Sequence, residues 1–174
     1  NANSTISLVN KNMQVELDSM FLYVFHLAQH VAETTSGAFD ITVAPAVNAW
    51  GFGFKNAETI DNDLIDSLKQ IVGYQMVKEE NGAIVKNDSR IMLDCSAIAK
   101  GFGCDVVAAL FDSVGIADYM VEIGGEIVVK GLNSKGSDWR IGISKPTDDS
   151  LATETELQTV LELTNRAMAT SGNY

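Results

Sequence analysis

The chain has 174 residues, room for one domain with one real core. Hydrophobic residues make up 46% and aromatics 7%, the balance of a globular chain and not of a disordered one. Twelve basic residues against 23 acidic ones give a net charge of −11, which argues against nucleic acid or an anionic membrane as a general partner but leaves room for a local phosphate pocket.

No apolar run approaches membrane-spanning length. Residues 14–35 read as a first long helix that Asp18 can cap, with Met20, Val24, Leu27 and Val31 as its apolar stripe and Phe21, Phe25 and Ala28 widening it. His26 and His30 lie one turn apart on this helix. They lack the carboxylate of a metalloprotease motif and read as structural or surface residues. Residues 37–53 show no period, so an ordered loop is expected, with a short strand near Ile41–Val43. Within it Trp50 and Phe52 could wall a ligand or plug a core, and the bulk of aromatic side chains favours the plug. Residues 61–72 predict a second helix capped by Asp61 or Asn62. Residues 74–78 and 83–87 predict a hairpin about Asn81-Gly82, and 90–94 another strand.

A helix is expected from an N-cap at Ser96 to about Val114, its apolar face being Ile98, Phe102, Val106, Leu110 and Val114 with Gly103, Val107 and Phe111 alongside. Strands follow at 118–123, 126–131, 138–144, 157–163 and 167–170, with glycines at 124–125 and a polar turn at 133–137. The expected fold class is therefore α+β, a mixed and largely antiparallel sheet packed with helices.

Chemistry concentrates in LDCSAIAKGFGCD, residues 93–105. A helix N-terminus at Ser96 offers free N–H groups and the positive end of the dipole, suited to a phosphate or carboxylate. Lys100 in the first turn opposes that dipole unless an anion sits there too, and Gly101 and Gly103 suit a close neighbour or ligand. Asp94 could cap backbone N–H groups or take a polar group of a ligand, and Asp40 poses the same choice. Gly124-Gly125 lacks the third glycine and following helix of a dinucleotide fingerprint. Cys95 and Cys104 have no Cys or His at zinc spacing and read as buried free thiols, with little to support a disulfide between them. Residue chemistry by itself reaches an α+β domain with an anion site near Ser96.

In order and spacing, STISLVN, GAFDITVAPAVNAWGFG, LDCSAIAKGFGCDVVA, EIGGEIVVKG, WRIGISKP and ATSGNY resemble the ApbE family over essentially the whole chain. These are the FAD:protein FMN transferases, formerly called thiamine-biosynthesis lipoproteins. The resemblance implies an enzyme that uses FAD and Mg²⁺ and transfers FMN to a Thr or Ser hydroxyl of a target protein, releasing AMP. It implies flavin-carrying subunits of membrane electron-transport complexes as acceptors, and a place at the bacterial cell envelope, often with a lipid anchor. FAD hydrolysis to FMN and AMP, or flavin binding without chemistry, are the alternatives. Carried over residue by residue, it assigns FAD contacts to Ala38, Phe39, Asp40, Asp94 and Lys100, and a metal-ligating backbone carbonyl to Ala97. The family's Met-Gly-Thr and His-x-apolar-Asp-Pro segments have no counterpart here. Residues 1–174 are thus expected to form a single, incomplete ApbE-like domain that carries one face of the metal site.

Overall fold

The computed structural model describes residues 2–52, 59–145 and 157–171. They form two compact units, Asn1–Ile98 and Ala99–Tyr174. The elements are helices and antiparallel strand pairs, the expected α+β class.

The first unit opens with α1 (Thr5–Asn10), a short helix within STISLVN that hydrophobic period does not reveal. The long helix α2 (Ser19–Thr34) follows, and Asp18 caps it by accepting the Phe21 N–H at 2.8 Å. That bond holds the Asp18 carboxyl below its usual range. The buried stripe of α2 is Val24, Phe25, Ala28 and Ala32, whereas Met20 and Leu27 of the expected stripe are exposed. Apolar residues cover most of this helix, so period leaves its rotation open, and the two alanines face inward where the core lies close.

Two further expectations are corrected in this unit. Part of the expected loop is α3 (Ala44–Ala49), started by Pro45 in its first turn, a position where the missing N–H costs nothing. Residues 90–94 contribute one parallel bridge, Met92 to Val43, and not a full strand. Beyond α4 (Asn62–Lys69, capped by Asp61) a 3₁₀ turn at Tyr74–Met76 leads into β1 (Val77–Glu80) and β2 (Ala83–Lys86). Those strands close about Asn81-Gly82, both at positive φ, as the dipeptide predicts. The core of the unit joins Val9, Phe25, Ala28, Ile41, Ile71, Val77, Ile91 and Leu93. Lys86 ties its layers together by donating to the carbonyls of Val9 and Ile91, and burial lowers its pKa.

Helix α5 (Ser96–Ser113) starts in the first unit and from Ala99 onward belongs to the second. In the second unit it buries Cys104 and Ala108, with Val107 and Phe111 partly buried, against Tyr119 and Val121. Leu110 and Val114 of the expected face are exposed. In this helix small side chains take the inward row. The strands β3 (Tyr119–Ile123) and β4 (Glu126–Lys130) form a hairpin whose two-residue turn is Gly124-Gly125, both at positive φ. Strand β7 (Arg166–Met168) adds to β4. The turn at Asn133–Ser137 does not close a hairpin, because β5 (Trp139–Ser144) pairs with β6 (Leu157–Leu163) instead.

Candidate functional site

A cleft of about 770 Å³ opens in the first unit. Its walls are the turn at Ser36–Asp40, Val43 and Val47 beside and on α3, Phe52, Val72–Gln75, and Asp94, Ser96 and Ala97 at the head of α5. Five of the six residues assigned on sequence, Ala38, Phe39, Asp40, Asp94 and Ala97, thus line one cavity although they stand up to 59 positions apart (97 − 38). Phe52 is 81% exposed on this wall and Trp50 is also exposed, so neither plugs a core. Trp50 is the C-terminal cap residue of α3, and both aromatics follow the buried Ala49 that ends the helix.

Asp40 is held, and holds, through a buried polar knot. Its Oδ1 accepts the Thr42 N–H and the Thr42 hydroxyl, each at 2.7 Å, and its Oδ2 accepts the Tyr74 N–H at 2.7 Å. Thr42, 0% exposed, accepts the Gly73 N–H at 2.7 Å on the same hydroxyl. A buried hydroxyl that both donates and accepts has its hydrogen bonding satisfied, and here it fastens the Ala38–Asp40 turn to the Gly73–Tyr74 wall.

Asp94 is fixed from both sides. Its N–H donates to the Ile41 carbonyl at 2.7 Å, and its Oδ1 accepts the Ser96 N–H at 2.7 Å. Ser96 is the first helical residue and not the cap. The acid before it satisfies one of the open N–H groups of the helix, which is the structural of the two readings offered for Asp94. Just upstream, the Asn10 side chain reads the Leu93 peptide on both edges. Its Nδ2 donates to the Leu93 carbonyl at 2.9 Å and its Oδ1 accepts the Leu93 N–H at 2.8 Å. Residue chemistry had passed over Asn10 and Thr42. Two signals pointed to them: the Ser4, Ser7, Asn10 spacing of three, which puts these polar residues on one face of a helix, and an isolated Thr between Ile41 and Val43. The Ser4 hydroxyl donates to that of Ser7 at 2.9 Å along the same face.

Two carboxylates and the positive end of α5 share the cleft, an arrangement that suits an anion accompanied by a cation better than a bare anion. The oxygens at its helix end, from Asp94, Ser96 and the Ala97 carbonyl, are the hard donors that Mg²⁺ prefers, and a carbonyl within a helix keeps a second lone pair for a ligand. Among the described residues no three His, Cys, Asp or Glu side chains gather closely enough to hold a metal, so the donor set fits one face of a Mg²⁺ shell and not a whole cage. The exposed pair His26 and His30 takes no part in such a cluster.

Lys100, the sixth assigned residue, lies in the second unit. Its Nζ donates to the Gly124 carbonyl at 2.9 Å and sits 2.9 Å from Glu126 Oε1. The thiols are free, as expected: Cys104 is buried and Cys95 half-buried, and burial pushes the Cys95 thiol up to about 11. A thiol so shifted is a packing group and not a nucleophile at neutral pH.

The fold is α+β, and the cleft of its first unit sets two carboxylates beside the N-terminus of α5. The chain belongs to the ApbE family, whose sequence model matches residues 1–174. It is 42% identical over 142 residues to an FAD:protein FMN transferase of Vibrio cholerae, covering 80% of this chain and 41% of that protein. It is 38% identical over 181 residues to the FAD:protein FMN transferase of Haemophilus influenzae, covering 98% and 51%. Among solved structures, the flavin transferase ApbE from Vibrio cholerae superimposes with a TM-score of 0.84 at 36% identity, over 99% of this chain and 56% of that one. The apo flavinyl transferase ApbE of Pseudomonas stutzeri gives 0.82 at 26% identity, over 99% and 55%. The chain spans about half the length of the curated relatives it matches.

Proposed function

We propose that the protein containing this chain is an FAD:protein FMN transferase and that the cleft binds part of FAD. Family membership supports the activity, and the observation that carries the site is the convergence of Ala38, Phe39, Asp40, Asp94 and Ala97 on one cavity. In this reading the Ala38–Asp40 turn and Asp94 contact the dinucleotide, and Lys100 is assigned to the same ligand from sequence resemblance. The Ala97 carbonyl would hold one face of a Mg²⁺ ion, since among the described residues no three His, Cys, Asp or Glu side chains gather into a full cage. Bound there, the metal would neutralise charge on the pyrophosphate oxygens.

The reaction is a substitution at the FMN phosphorus. The acceptor Thr or Ser oxygen forms a new P–O bond, the P–O bond to AMP breaks, the hydroxyl proton is lost, and AMP leaves with the bridging oxygen. Within that reaction the residues described here bind and orient. The α5 N-terminus faces negative charge, and the Asp40–Thr42 knot keeps the cleft wall from yielding. Flavin-carrying subunits of membrane electron-transport complexes are the acceptors of this reading, and the cell envelope is its location, which fractionation of producing cells would test.

Incubation with FAD, Mg²⁺ and a Thr-bearing acceptor peptide, followed by mass spectrometry, should show FMN joined to the peptide. Release of FMN and AMP without peptide labelling would turn the reading to hydrolysis. Asp94→Ala should weaken FAD binding by roughly tenfold, the worth of one charge-assisted hydrogen bond. An unlabelled peptide together with no flavin binding would overturn the proposal.

A further inference from the structure

The ion pair of Lys100 and Glu126 is built differently from five others among the described residues. Those five join side chains that are each about a third or more exposed. Here Glu126 is 8% exposed, and its Oε2 is buried without a hydrogen-bond partner among the described residues. Its Oε1 meets the Lys100 ammonium at 2.9 Å. A buried carboxylate with one oxygen unpaired weakens a fold compared with an apolar residue of the same shape, so stability does not account for an acid at this position.

The surroundings are fitted to the lysine. The Gly124 carbonyl takes a second N–H of the ammonium at 2.9 Å. A Cβ on Gly124 would stand 3.0 Å from Lys100 Cδ, and the φ of +55° already disfavours any side chain there. Gly103, one turn along α5, lets the hairpin come close, since a Cβ there would meet Ile123 Cδ1 at 3.2 Å. The backbone of Glu126 is held in turn by the Cys104 thiol, which donates to its carbonyl at 3.1 Å. An ammonium has three donors, and this cradle engages two. One N–H is left in a fixed direction, on a side chain that would otherwise spread over many rotamers.

We propose that Glu126, with the Gly124 carbonyl, is the positioning residue for Lys100: it holds the ammonium with one N–H left for an anionic oxygen of a ligand. The proposal rests on the flavin reading for the identity of that oxygen, and on the second unit alone for the cradle. The carboxylate acts through Lys100 and does not itself touch the ligand.

The test is a double-mutant cycle read in two ways. FAD affinity is measured by flavin fluorescence for the wild type, Glu126→Gln, Lys100→Met and the double variant. Glu126→Gln should weaken binding about fivefold, the worth of a half-buried ion pair. It should weaken binding no further once Lys100 is Met, because the pair acts as one unit. Separately, reductive methylation of Lys100 in the ligand-free protein, followed by mass spectrometry, should run about threefold faster in Glu126→Gln as the ammonium is released. Glu126→Asp, which keeps the charge on a shorter arm, should fall between the two and serves if the Gln variant does not fold. Equal weakening in both Lys100 backgrounds, or an unchanged methylation rate, would overturn the proposal. If the wild type binds no FAD, the flavin reading fails, and the methylation rate alone decides whether the cradle holds Lys100.

Discussion

Replacing Asn10 with leucine is a demanding test of how the candidate site is held. Leucine matches the asparagine side chain in shape but removes both bonds to the Leu93 peptide. Leu93 is 2% exposed, so water cannot readily replace them. An orphaned buried backbone group costs about 1–3 kcal/mol, and two are created here. Set against roughly 1 kcal/mol from the added apolar surface, the net loss is about 3 kcal/mol. The damage should be local as well as global, because Asp94 is the next residue. Urea denaturation followed by far-UV circular dichroism gives the total. Hydrogen exchange gives the local part, with the Leu93 amide losing about a hundredfold of protection. Asn10→Asp should also destabilise, since its second oxygen would face the Leu93 carbonyl where a donor is needed. A stability loss below about 0.5 kcal/mol, or a Leu93 amide as protected as in the wild type, would refute the reasoning.

Thr42→Val keeps the shape of a fully buried side chain but leaves the Gly73 N–H unpaired. About 2 kcal/mol should be lost in denaturant titration, with faster exchange at Gly73, while Thr42→Ser should retain most of the stability. Asp18→Ala should cost about 1 kcal/mol at neutral pH through loss of the α2 cap. Because folding lowers the Asp18 pKa, its contribution is complete above the ordinary value of 3.8 and disappears as pH falls through the lowered one. The stability gap between wild type and variant should therefore close on acidification, and a gap that persists would count against the cap. Cys95, pushed up to about 11 by burial, should react with a disulfide reagent at pH 8 far more slowly than an exposed thiol. Rapid labelling of native protein at Cys95 would show that the thiol is not packed as described.

Local signals in the chain were reliable where the cause is local. Asp18 and Asp61 cap the helices that they precede, since capping needs only the residue and the next turn. Asn81-Gly82 closes its hairpin because its two positive φ angles are a property of the dipeptide. Helix rotation was legible only in part. Val24, Phe25 and Ala28 of the expected α2 stripe are buried, but apolar residues surround much of α2 and α5, and only the neighbours choose Ala32, Cys104 and Ala108 over Met20, Leu27 and Leu110 for the interior. α1 and α3 escaped notice because six residues make fewer than two turns, too few for a period to show.

The candidate site divides in the same way. Motif order named Ala38, Phe39, Asp40, Asp94 and Ala97, and a helix beginning at Ser96 follows from the residues around it. What the residues hold on to was open until the chain folded. Asp40 accepts three hydrogen bonds from Thr42 and Tyr74, and Asp94 takes the capping role expected of Ser96. Lys100 finds an acid 26 residues away (126 − 100). A sequence specifies which atoms can donate and accept and which short segments will turn or coil, because those preferences act within a few residues. Only tertiary structure selects the partner, since a pairing such as Asn10 with Leu93 depends on bringing together groups 83 positions apart.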